Sequence, residues 1–294
     1  MSIAWSFGYV CSFDRLSHWQ FVRGGPCGYA YTRAMGPERV RLGGMALENG
    51  VLVHGPRHWA CAVRTESGEV EVASGRKPLR AADIESRLLQ APVRLAEVFA
   101  LLPVVRRKLP PARLPYERPA ILFGLAGSML TVRRLRRSGL TPVVQESLAA
   151  VLSLAPAVLA IRGTALAAYH GAEHIAIGSY EHGEPRTREH ERCGSHLVGP
   201  LVVTSIAGGV LARAVPRPFR PLARAAAAIA AAGASVELFS WMVRHEEHPL
   251  ARALARPGHE LQQRVLTADP SPEQLDVAEA ALAACLALEA PASA

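Results

Sequence analysis

The sequence predicts a mainly α, multi-pass helical membrane protein with a small β-rich N-terminal unit and a soluble C-terminal helical segment. Three observations predict it. Half of the 294 residues are hydrophobic although 20% are charged, and the mean hydropathy is slightly positive, so the apolar residues must be concentrated in blocks. Those blocks lie at 119–132, 147–161, 195–212 and 225–243. Finally, the formal charge is +8, and arginines such as Arg133, Arg134, Arg136 and Arg137 cluster beside the blocks. Basic residues at the ends of apolar segments set membrane topology. Arranged this way, they argue against nucleic acid as a partner.

Residues 1–40 have aromatics without a clear period and read as a poorly specified leader. Asp14, Arg15 and Arg23 interrupt any apolar core there, so no cleavable-signal pattern is expected. Residues 41–77 form the small β-rich unit. The run Trp59-Ala60-Cys61-Ala62-Val63 is short and alternating, and Ser67-Gly68 turns the chain before Val70 and Val72, as in a hairpin.

The helical membrane region is expected over 78–243. A span needs roughly 20 apolar residues. Ser195–Ala212 offers 18 without a formal charge, and Ala225–Val243 offers 19 with Glu237 as its one acid. The block at 147–161 is marginal because Glu146 and Pro156 interrupt it, and Pro119–Val132 has only 14 residues. A cell-membrane location and a lipid bilayer partner follow, with homo-oligomerisation left open.

The soluble segment, 244–294, contains a Pro257-Gly258 break and then a helix opened by Ser271-Pro272-Glu273. These are an N-cap serine, a proline at the first helical position and an acid in the first turn. Leu275, Ala278, Leu282 and Leu286 form its apolar stripe.

The stretch YHGAEHIAIGSYEHG at 169–183 carries the chemistry, within a His-rich loop expected over 169–196. His170, Glu173 and His174 stand at i, i+3 and i+4, one face of any helical turn. Two imidazoles one turn apart can close on a single zinc, with the intervening Glu173 as general base. This H-x-x-E-H order inverts the H-E-x-x-H motif. Five of the 27 residues from His170 to His196 are histidine, against 11 in the whole chain, an enrichment that favours a metal site. A divalent metal is expected, zinc by donor preference. His170 and His174 would be completed by His190, Cys193 or a carboxylate such as Glu181. Glu237 is a further candidate, as a distant ligand, a partner for an imidazole N–H, or a partner for Arg162, because an ionisable group within a span is costly unless it works. His245-Glu246-Glu247-His248 reads as a solvated cap. Cys11, Cys27, Cys61 and Cys285 read as buried or incidental thiols.

YHGAEHIAIGSYEHG, HERCGSHL, SVELF and ARPGHELQQRVLTADPSPEQLDVAEAAL resemble, in order, blocks of the YqhQ-like bacterial membrane proteins. Gly43-Gly44-Met45-Ala46-Leu47-Glu48-Asn49-Gly50-Val51-Leu52-Val53-His54-Gly55-Pro56 resembles that family's first block. This chain has Met45, Asn49 and His54 where the family has Gln, Glu and Arg, and Ile175 and Ser195 where it has Lys and Thr. The resemblance implies a multi-pass membrane protein, described as of unknown function or as a predicted metal-dependent enzyme. Three functions compete: a metal-dependent hydrolase acting on a lipid-like or membrane-protein substrate, a non-catalytic metal-binding protein, and a metal-free scaffold or assembly factor. A transporter using Glu237 is a fourth reading.

Overall fold

The computed structural model describes residues 21–23, 29–31, 39–80, 83–84, 87–190 and 192–290. Of the leader, only two short antiparallel-paired strands, β1 (Phe21–Arg23) and β2 (Tyr29–Tyr31), and residues 39–40 are described, and Cys11 and Cys27 lie outside the described residues.

The β-rich unit is a four-stranded antiparallel meander: β3 (Gly43–Leu47), β4 (Gly50–His54), β5 (His58–Arg64) and β6 (Val70–Arg76), in that order across the sheet. Side chains alternate across a strand, so β5 sends Trp59, Cys61 and Val63 to one face and Ala60 and Ala62 to the other. Both faces are buried. The first packs on Leu101, Leu102 and Val105 of α1 (Arg87–Lys108). The second packs on α4 (Ala165–His182) and α8 (Pro272–Glu289) through Tyr169, Ala172, Ala176, Ala278 and Leu282. The two-residue β3–β4 turn is pinned by Asn49. Its amide nitrogen donates to Arg64 O and Pro111 O, both at 3.0 Å, and its oxygen accepts from Arg113 N at 2.9 Å.

The apolar blocks form α2 (Pro119–Leu135), α3 (Pro142–Ile161), α5 (Val198–Ala214) and α6 (Arg220–Arg244). Three stretches, Pro142–Ile161, Gly194–Ala214 and Arg217–Arg244, are long and apolar enough to cross a membrane. The helices run antiparallel in chain order. Arg118 at the start of α2 donates to Ala160 O at the end of α3, while Arg136 at the end of α2 pairs with Glu146 near the start of α3. Arg213, ending α5, pairs with the same Glu146, and Arg220, opening α6, donates back to Arg213 O. The bundle thus has one end at the sheet and another at the arginine clusters.

Two expectations change. The stretch 169–196 is not a loop throughout, because α4 continues to His182 with an apolar face on the sheet. Pro257-Gly258 is not a break, because both residues lie inside α7 (Pro249–Leu261). A β-carbon at Gly258 would meet Ser195 O at 2.4 Å, so glycine is what lets α7 touch that main chain. The α8 expectation holds. Ser271 accepts from Gln274 N, Gln274 reciprocates, and Ala278 and Leu282 are buried.

His54 is enclosed by Gly43 and the Lys77–Glu97 pair, whose atoms are 3.3 Å apart. Burial, then the Lys77 ammonium, hold its pKa at about 4 against an ordinary 6.5. The unfolded chain therefore binds a proton that the folded one refuses. This stability is complete above pH 6.5 and is lost as the pH falls towards about 4. Thermal unfolding above and below this window checks the point. The wild type should lose more stability on acidification than His54→Gln, and equal losses would contradict it.

Candidate metal centre

Helix α4 presents His170 and His174 one turn apart, with ring centroids separated by 4.4 Å. Each ring is oriented by a main-chain carbonyl. His170 Nδ1 donates to Leu266 O at 2.9 Å, and His174 Nδ1 donates to Arg188 O at 2.7 Å. A carbonyl only accepts, so the proton of each neutral ring sits on Nδ1 and Nε2 carries the free lone pair. This is the arrangement metal-binding histidines use. Leu266 reaches the site because α7 closes in a single π-turn, Gln262–Leu266, and π-turns recur at functional positions.

Cys193 completes the group. Its sulfur lies 3.5 Å from His170 Nε2 and accepts from Ser195 N at 3.4 Å. Donor atoms of His170, His174 and Cys193 all lie within 4.8 Å of one another, so the three can hold a metal ion. The fit can be tested by geometry. A tetrahedral zinc with ordinary Zn–S and Zn–N bonds holds sulfur and nitrogen about 3.6 Å apart. The observed S···N separation matches that edge.

Burial would raise the Cys193 thiol, but hydrogen bonds to His170 and His174 outweigh it and hold the group well below its ordinary value. Burial opposes charge on His170 too, yet Cys193 and Glu173 lift it to about 9. Both shifts favour the charged forms, a thiolate beside an imidazolium.

Glu173 lies beside the donors rather than among them. Its Oε2 is 3.9 Å from His170 Nε2, and its carboxyl is pushed up, chiefly by burial. Strand β3 forms the wall: a β-carbon at Gly44 would meet Glu173 Oε1 at 2.3 Å. His170 retains 17% side-chain exposure, so the group reaches solvent on that side.

The remaining candidates are placed differently. His190 donates from Nε2 to Glu181 Oε2 at 3.1 Å and accepts at Nδ1 from Arg192 N at 3.3 Å, so both its nitrogens are engaged. Glu181 also pairs with Arg192 at 3.4 Å. These residues flank the donor group, with the His190 ring centroid 5.5 Å from that of His174. Glu237 is exposed on α6, about two turns before its end, and is not in the group. His196 is buried within electrostatic reach of Cys193 and His174, and its Nδ1 has no hydrogen-bond partner among the described residues.

Sequence reasoning missed Gln262 and Gly44. Gln262 is buried, donates to His190 O at 3.2 Å and accepts from His190 N at 3.4 Å, fixing the segment between α4 and Cys193. Nothing in its spacing marks it. The paired glycines at 43–44 were a usable signal, since adjacent glycines in a strand indicate close approach by another group.

Burial pushes Cys61 and Cys285 up to about 12, opposite to Cys193. Alkylation of chelator-treated native protein at neutral pH, read peptide by peptide, should therefore label Cys193 ahead of the other two. Equal labelling would show that the imidazoles do not activate this thiol.

Residues 160–288 match the family described as "Protein of unknown function (DUF1385)". This stretch is less than half of the chain, and it carries all three donors and Glu173. No curated protein and no solved structure matches the chain.

Proposed function

We propose that the chain is a multi-pass membrane protein with a divalent metal, zinc by donor chemistry, held by His170, His174 and Cys193, and that it acts as a hydrolase. One observation carries this reading: a donor nitrogen from each of two imidazoles and the Cys193 sulfur converge while each Nδ1 meets a main-chain carbonyl. Two nitrogens and a sulfur suit zinc, and three protein donors leave a position open, as catalytic rather than structural sites do.

The membrane reading is supported by the surface of the bundle. Phe123, Met129, Leu159, Leu211 and Ile229 are all more than 60% exposed on α2, α3, α5 and α6. Large apolar patches on a monomer mark a surface that meets lipid or protein. The resemblance to YqhQ-like membrane proteins points the same way.

A bound divalent ion supplies Lewis acidity at this point. The chain's own residues supply the rest. The carbonyls of Leu266 and Arg188 hold both imidazoles in the donor tautomer. Gly44 and β3 confine the Glu173 carboxylate beside the donors, where it takes the proton from an attacking water and returns it to the leaving group. The partly exposed side at His170 admits the substrate, which is lipid-like or a membrane protein because the site adjoins the apolar bundle.

A second reading rests on the 3.5 Å Cys193–His170 contact: a metal-free thiolate–imidazolium pair with Cys193 as nucleophile. Elemental analysis of the detergent-purified chain separates the two. About one zinc per chain is expected, lost in His170→Ala/His174→Ala and in Cys193→Ser, and retained in Glu173→Gln. A metal-free wild type whose double variant folds equally well would sink the metal reading. Loss of metal in Glu173→Gln would make that carboxylate a ligand instead of a base.

A further inference from the structure

The end of the bundle opposite the donor group holds most of the chain's net charge. Arg133, Arg134, Arg136 and Arg137 close α2, and Arg213, Arg217, Arg220 and Arg224 span the α5–α6 connection. Glu146 is the one acid within 133–147 and 213–224. Without these eight arginines and Glu146, the 33 basic and 25 acidic residues become 25 and 24, so seven of the eight net charges lie here.

Four of these guanidiniums form a cluster. Arg136 donates to Glu146 Oε2 from Nε at 3.2 Å and Nη2 at 2.9 Å. Arg213 donates to Oε1 from Nε and Nη2, both at 3.3 Å, and also to Gln145 Oε1. Arg220 donates to Val215 O at 3.0 Å and Arg213 O at 3.1 Å, closing the C-terminus of α5. Arg224 lies within electrostatic reach of Arg136, Arg213, Arg220 and Glu146. Its buried Nε has no hydrogen-bond partner among the described residues. A merely solvated arginine would keep that N–H in water. Four guanidiniums against one carboxylate leave three positive charges uncompensated, and a guanidinium's planar fork matches phosphate oxygens.

The surroundings indicate which phosphate. Leu140, Phe219 and Leu222 are exposed at this same end, at 46%, 61% and 72%. A soluble phosphate needs no apolar collar, whereas a phospholipid brings acyl chains to lie along one. Basic pockets between membrane helices are suited to anionic headgroups, and arginine stems pack on apolar surface while their heads reach polar groups.

We infer that Arg224, together with Arg136, Arg213 and Arg220, forms a headgroup site for an anionic phospholipid, with the lipid phosphate on the Arg224 fork. This rests on the membrane reading above. Native mass spectrometry of the detergent-purified full chain tests it, using phosphatidylglycerol, phosphatidylcholine and inorganic phosphate as separate probes. Saturable, preferential phosphatidylglycerol binding is expected, weakened about tenfold by Arg224→Gln, less by Arg224→Lys, and unchanged by Arg134→Gln. Equal binding of the two lipids would overturn the site, as would undiminished phosphatidylglycerol binding in a folded Arg224→Gln or Arg224→Lys variant. Displacement of the lipid by inorganic phosphate would reassign it to a soluble anion. Alkaline carbonate extraction separates the two failures. Release of the protein from membranes sinks the membrane reading, while a retained protein without lipid preference sinks only the headgroup site.

Discussion

Enclosure of α4 is the constraint on which the rest of the structure depends. The helix is covered by β3 and β4 on one side and by α8 on another, with residues 186–190 and the π-turn after α7 against its polar side. A helix this enclosed cannot carry polar side chains without partners, because a buried polar group left unpaired costs about 1–3 kcal/mol. Four polar groups on α4 accordingly meet a specific element: His170 the π-turn, His174 the main chain at Arg188, Ser179 the Arg186 N–H, and Glu181 the His190 ring. The same enclosure that stabilises the unit also sets the tautomers of the two imidazoles.

Much of this could be read from the sequence where a period or a local rule applied. The alternating run at 59–63 is a strand buried on both faces. Ser271 caps α8, and the stripe through Ala278 and Leu282 faces the core. The i, i+3, i+4 spacing of His170, Glu173 and His174 holds because α4 extends through the motif. Cys193 was one of several possible companions, and only tertiary placement distinguishes it from His190. The latter's nitrogens are occupied by Glu181 and Arg192.

What the sequence could not show shares one physical cause: contacts between main chain and side chain across long separations. Leu266 O is 96 residues from His170, and Gly44 reaches Glu173 from another domain layer. No periodicity records such a contact. Pro257-Gly258 misled for a related reason. Local propensity marks the pair as a stop, but Gly258 serves a close helix–main-chain approach that outweighs the cost of a proline within α7.

The link between His170 and Leu266 also has a consequence for biogenesis. All three donor side chains have left the ribosome well before Leu266 is synthesised, and the carbonyl that fixes the first imidazole arrives only with the C-terminal part of the chain. During synthesis the three side chains are therefore present before the carbonyl that orients the first imidazole. The orientation of that ring thus waits on the docking of α7 and its π-turn against α4.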